Sequence, residues 1–91
     1  MQHYLIIIEK GEGNHSAFCP DLPGCITTGQ TLEETIRNME EAVLFHIDGL
    51  CEDGDPVPPA RGLQAHMEAI NTDAGDLFTF VGVPALLADA A

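Results

Sequence analysis

Hydrophobic and polar positions follow two rhythms along this chain, and the change of rhythm marks its architecture. Residues 3–9 (HYLIIIE) form a β-branched run that predicts a first strand. Tyr4, Ile6 and Ile8 fall on one face of it, Leu5 and Ile7 on the other. Both faces are apolar, so both are expected to meet other protein. Lys10, Gly11, Glu12, Gly13 and Asn14 supply a hairpin turn, because glycine and asparagine tolerate positive φ. A second strand is expected over residues 15–19. Pro20, Asp21, Leu22, Pro23 and Gly24 then break the sheet as a fixed loop, and residues 25–28 (CITT) read as a short third strand.

From Leu32 the period lengthens to that of a helix, expected over residues 32–50. Leu32, Ile36, Met39, Val43, Ile47 and Leu50 fall in one narrow, core-facing stripe. Thr31 and Glu34 make a capping box at its start, and early acids suit the positive end of the helix dipole. Glu33–Arg37 and Arg37–Glu41 are i,i+4 pairs on the wet side. His46, at the edge of the stripe, reads as a satisfied core-edge histidine rather than a ligand. Leu44 and Phe45 break the pattern. Phe45 lies nearly opposite the stripe, beside Glu34, Asn38 and Glu41. A large aromatic on an acidic outer face points to an interface, a stray exposed apolar side chain being the plainer alternative.

After the helix, residues 51–60 (CEDGDPVPPA) are an acidic, proline-rich loop. Leu63, Met67 and Ile70 predict a short second helix over residues 62–70, and residues 71–75 a turn. Residues 76–83 (DLFTFVGV) predict the last strand, with Leu77, Thr79, Val81 and Val83 on one face and Phe78 and Phe80 on the other. Pro84 ends it, and residues 85–91 are expected to fray. The result is one domain over residues 1–84 and a short tail, with an α+β order β-β-β-α-(α)-β. A largely antiparallel sheet packed on one main helix leaves its other face uncovered, so a homo-oligomer or a covering partner is expected.

Composition narrows the function classes. Fifteen acidic residues face only Lys10, Arg37 and Arg61, a formal net charge of −12. Nucleic-acid binding relies on Lys and Arg to neutralise phosphates, so no direct nucleic-acid partner is expected. The acidity serves either solubility or attraction of a basic partner. The longest apolar run, residues 5–8, is too short to span a membrane. No signal peptide is expected, and a cytoplasmic location follows. Cys19, Cys25 and Cys51 read as reduced thiols. A metal site from Cys19, Cys25 and His15 lacks the close ligand pairs that such sites use. Gly11-Glu12-Gly13 is a turn and not a phosphate-binding loop. Acidic surroundings raise thiol pKa values and argue against a cysteine nucleophile. A metal-dependent nuclease needs several acids converging from rigid strands, whereas only Glu9 sits at a strand end, Asp21 lies in the loop and the rest cluster on the helix exterior. No catalytic residue, metal or cofactor is therefore expected.

The stretch 17–34 (AFCPDLPGCITTGQTLEE), followed by Glu52-Asp53-Gly54-Asp55-Pro56-Val57-Pro58-Pro59, resembles the HicB-like antitoxins of type II toxin–antitoxin systems. That resemblance implies a partial RNase H-like fold. It also implies neutralisation of a small, basic, mRNA-cleaving toxin of the HicA type by occlusion of its RNA-binding or catalytic surface. The fold likeness carries no nuclease activity with it. Many members add a helix-turn-helix or ribbon-helix-helix module; residues 84–91 are too few for either, so DNA binding is not expected unless the partner supplies it, and Gln30 stands where an acid is frequent. The partner-binding residues expected on this basis are Asp21, Leu22 and Pro23 in the loop, Leu44 and Phe45 on the helix, and Glu52, Asp53 and Asp55 after it. Loop rigidity, stray exposure and solvated charge are their plainer readings. The competing functions are an orphan regulatory or assembly domain without a toxin, and a metal-dependent nuclease using Glu9 and Asp21.

Overall fold

The computed structural model describes residues 1–84; the tail expectation for residues 85–91 lies outside them. Four strands form one antiparallel sheet: β1 (Gln2–Lys10), β2 (His15–Phe18), β3 (Ile26–Gly29) and β4 (Leu77–Val83), in the order β3-β2-β1-β4. One helix, α1 (Leu32–Glu52), lies across one face. This is the expected α+β arrangement.

The alternation in β1 sets up two different faces. Tyr4, Ile6 and Ile8 join Ala17, Val81 and Val83 beneath Met39, Val43 and Ile47 of α1, and the loop contributes Cys19, Leu22 and Cys25 to the same core. On the helix-free face Leu5 and Ile7 are also fully buried. Register places Phe80 beside Leu5, and Phe78 and Phe18 beside Ile7, with Ile26 next to Phe18.

Close approach of α1 to β3 depends on Gly29. A Cβ there would sit 2.5 Å from Thr35 Oγ1 and 2.7 Å from the Thr35 nitrogen. Thr35 is itself fully buried, its hydroxyl donating to the Thr31 carbonyl at 2.7 Å. The capping box forms as expected. Glu34 N–H donates to Thr31 Oγ1 at 3.1 Å, and Gln30 N–H to Glu34 Oε2 at 3.1 Å. At the other end Gly54, at φ 72°, donates to the Cys51 carbonyl while Asp55 N–H reaches the Leu50 carbonyl. That is a Schellman stop, which asks for glycine at the left-handed position.

Several expectations need correction. The helix runs two residues further, to Glu52, because the stop signal is Gly54 and not the end of the apolar stripe. Leu32, Ile36 and Leu50 are half-buried rather than central. The second helix is instead a 3-10 segment, Gln64–Ala69, with no buried residue and with Met67 61% exposed. Three apolar positions gave it too little to bury as a full helix. Among the described residues Arg37 forms no ion pair with Glu33 or Glu41. Hydrated pairs of this kind gain little from closing.

Candidate functional site

Residues 19–25 close on themselves. Cys19 N–H donates to the Cys25 carbonyl at 3.0 Å, Leu22 N–H to Cys19 at 3.1 Å and Cys25 N–H to Leu22 at 3.0 Å. This fixes Leu22 in the core, fully buried, and Asp21 almost so, at 6% exposure. Asp21 then serves as an anchor. Its Oδ2 accepts the Arg61 N–H at 2.9 Å, and its Oδ1 lies 2.7 Å from His66 Nε2. The segment that it holds is tied down twice more, by Tyr4 Oη donating to the Pro58 carbonyl at 2.6 Å and Ala60 N–H donating to Gln2 Oε1 at 2.7 Å. Of the three loop residues expected at a partner surface, only Pro23 faces solvent.

The buried groups here are unsuited to catalysis. Burial pushes the Cys19 thiol up to about 11, against the smaller opposing pull of the Asp21 and Leu22 amides. Burial likewise raises Cys25. Tyr4 is raised by burial first, then by the Cys19 and Asp21 charges. These thiols stay protonated at neutral pH, the form that is neither nucleophile nor metal ligand. Both Asp21 oxygens are occupied by protein donors. Glu9 lies opposite Ser16, at the other end of β2 from the Asp21 loop, so the two carboxylates do not converge. Among the described residues no three His, Cys, Asp or Glu side chains gather as a metal site.

The outer surface of α1 is different. Phe45 is 80% exposed and Leu44 40%. They belong to separate flanks. Phe45 lines a shallow groove with Thr27, Asn38, Glu41 and Ala42, between α1 and β3. Leu44 lines another with Glu40, Phe80, Val81 and Gly82, towards β4. The floor of the first is held by Asn38 Nδ2, which donates to the Thr28 carbonyl at 3.0 Å. Glu33, Glu40, Glu41 and Asp48 are exposed around these apolar residues, and Glu52, Asp53 and Asp55 continue the acidic surface beyond the helix. The last turn of α1 carries no basic residue. Acids at a helix C-terminus oppose its dipole, at a cost of some tenths of a kcal/mol each.

Sequence reasoning missed His66, Tyr4 and Gln2 as anchors. Their partners are 45, 54 and 58 residues away along the chain, and no periodicity or spacing carries such a signal.

No helix among the described residues is long and apolar enough to cross a membrane. The chain is 38% identical over 64 residues to a protein of the rep-hol intergenic region of Haemophilus phage HP1, a match covering 70% of this chain and 48% of the phage protein. It therefore spans about half the length of that relative. A UPF0150 protein of Synechocystis is 42% identical over 57 residues, covering 62% of this chain and 72% of its own. Among solved structures, a chain of the HicA3 and HicB3 toxin–antitoxin complex superposes with TM-score 0.75 at 28% identity, covering 91% of this chain and 99% of that one. The N-terminal domain of Burkholderia pseudomallei antitoxin HicB gives 0.77 at 27% identity, covering 91% and 99%. In the Burkholderia pseudomallei antitoxin HicB crystal structure the match covers 63% of the chain. The family model for HicB_like antitoxins of bacterial toxin–antitoxin systems matches residues 4–87, and this chain belongs to that family.

Proposed function

We propose that this domain is a non-enzymatic antitoxin that binds a small, basic, HicA-type mRNA-cleaving toxin and covers its RNA-binding or catalytic surface. The observation that carries the reading is Phe45, 80% exposed in the groove between α1 and β3, beside Glu41 and on a helix whose outer surface is acidic. An aromatic anchor ringed by charge is the composition of a binding hot spot. The carboxylates of α1 and of residues 52–55 stand in for the phosphates that such a toxin is built to hold, which favours fast and selective association. The complex of HicA3 and HicB3, with which this fold superposes, supports the toxin class.

In this reading Phe45, Leu44, Pro23, Glu52, Asp53 and Asp55 touch the partner, while Asp21 and Leu22 hold the loop that presents Pro23. No cofactor takes part, and three basic residues give the domain no direct grip on nucleic acid. A toxin that cleaves mRNA places the complex in the cytoplasm. The test is co-expression with a HicA-type toxin. The wild-type domain restores growth, and Phe45→Glu at equal abundance does not. Toxicity unrelieved by the wild-type domain, across HicA-type toxins from the same genome, would leave the orphan regulatory reading in its place.

A further inference from the structure

The groove between α1 and β3 has a lining that selects its occupant. Asn38, Glu41, Ala42 and Phe45 follow one another at helical spacing along one stripe of α1, and Thr27 of β3 completes the lining. Phe45 is the most exposed large apolar side chain among the described residues. Apart from its chain neighbours and the helix backbone, a Cβ at Gly49, one turn beyond Phe45, would meet nothing within 4 Å. The space on that side of the ring is open. The polar groups beside the ring are acceptors. Glu41 is exposed, and among the described residues it forms no ion pair, even with Arg37 four residues before it. Glu34 is already committed, since its Oε2 accepts the Gln30 N–H. Asn38 spends Nδ2 on the Thr28 carbonyl, so what it can offer the groove is its amide oxygen. The Thr27 hydroxyl can accept as well.

A guanidinium is the complement of such a lining. It is flat, always charged, carries five donors and no acceptor, and stacks on an aromatic face. A lysine ammonium has the charge but neither the plane nor the fork. An apolar side chain would cover the ring and leave the Glu41 carboxylate desolvated without a partner. The lining holds no Lys, Arg or His to compete, and the chain as a whole, at net charge −12, attracts cations. We propose that this groove is an arginine socket. A guanidinium from the basic partner stacks on the Phe45 ring while its N–H groups donate to the Glu41 carboxylate and to the Asn38 and Thr27 oxygens. The identity of that partner rests on the antitoxin reading, whereas the preference for arginine rests on the groove alone. Glu41 and Phe45 together then determine specificity: the ring selects a flat cation, and the carboxylate fixes where its donors lie.

Two titrations test this. In the first, blocked Gly-Arg-Gly and Gly-Lys-Gly peptides are added separately, at constant ionic strength and up to high concentration, to the isotope-labelled domain and followed by NMR. The arginine peptide shifts the Phe45 ring and Asn38 side-chain resonances where the lysine peptide leaves them in place, and Phe45→Leu abolishes the response. Equal responses to the two peptides, or none at Phe45, overturn the proposal. In the second, a HicA-type toxin is titrated calorimetrically into the variants. Both positions are exposed, so no substitution disturbs the core. Phe45→Leu keeps an apolar side chain without a π face and weakens binding by about threefold to thirtyfold, whereas Phe45→Tyr binds as the wild type does. Glu41→Gln also weakens binding, and the double variant loses less than the two single losses combined, because both residues hold one guanidinium. Wild-type affinity in Phe45→Leu would make Phe45 a plain apolar contact and overturn the socket. A domain that binds no HicA-type toxin yet answers the arginine peptide would sink the antitoxin reading and uphold the socket. Toxin binding that ignores both Phe45→Leu and Glu41→Gln would do the reverse.

Discussion

Asp21 shows how far a residue's role depends on where its chain partners come from. In sequence it is the exposed acid of a Pro-Asp-Leu-Pro-Gly loop; in the fold it is a buried anchor bonded to Arg61 N–H and His66. Asp21→Asn removes the charge from this pair and leaves buried groups poorly matched, at a cost of about 1–3 kcal/mol, readable as a lower midpoint in urea unfolding. Unchanged stability combined with lost toxin binding would instead make Asp21 a contact residue. Cys19 carries a second test at this scale. Its thiol is raised from 9.0 to about 11 by burial, so folding favours the protonated form. The associated stability is fully present below pH 9 and is lost as pH climbs towards 11, amounting to roughly 2–3 kcal/mol. Urea unfolding at pH 8 and pH 10.5 should show that fall, and Cys19→Ala should reduce it. Leu22 is fully buried, whereas Phe45 and Pro23 are exposed. Phe45 was legible because helical phase alone opposes it to the core stripe. Leu22 was not, because a loop has no phase.

At the scale of elements, local chemistry translated most directly. The capping box at Thr31 and Glu34 is complete, and Thr31→Ala should cost about 1 kcal/mol in thermal or urea unfolding. Gly54 at φ 72° ends α1, and Gly54→Ala should cost a further 1–2 kcal/mol or so by forcing a side chain into the left-handed region. If Gly54→Ala were neutral, the Schellman stop would not be what ends the helix. Strand alternation was equally readable, since β1 and β4 each show both faces in their own sequence. The segment after α1 was not. Residues 56–66 are held by hydrogen bonds to Tyr4, Gln2 and Asp21, interactions set by long-range closure rather than by propensity. The 3-10 geometry of Gln64–Ala69 in place of a helix has the same origin, because His66 is drawn towards Asp21 while Met67 finds nothing to cover it.

The whole molecule separates its surfaces by charge. Acids crowd the exterior of α1 and residues 52–55, around Phe45, whereas β4 is neutral and apolar. Toxin binding through the acidic face should therefore weaken as ionic strength rises. Helix phase and charge count together made the acidic face legible in the sequence. The division of Leu44 and Phe45 between two flanks needed the packing of α1 against β3 and β4.

The most direct test of the account is calorimetric titration of a HicA-type toxin into the wild-type domain and into Phe45→Glu, at low and moderate salt. The account predicts a stoichiometric complex whose affinity falls with added salt and drops by roughly thirtyfold or more in Phe45→Glu, the loss expected of a hot-spot aromatic. A complex of undiminished affinity in Phe45→Glu, or one indifferent to salt, would contradict it.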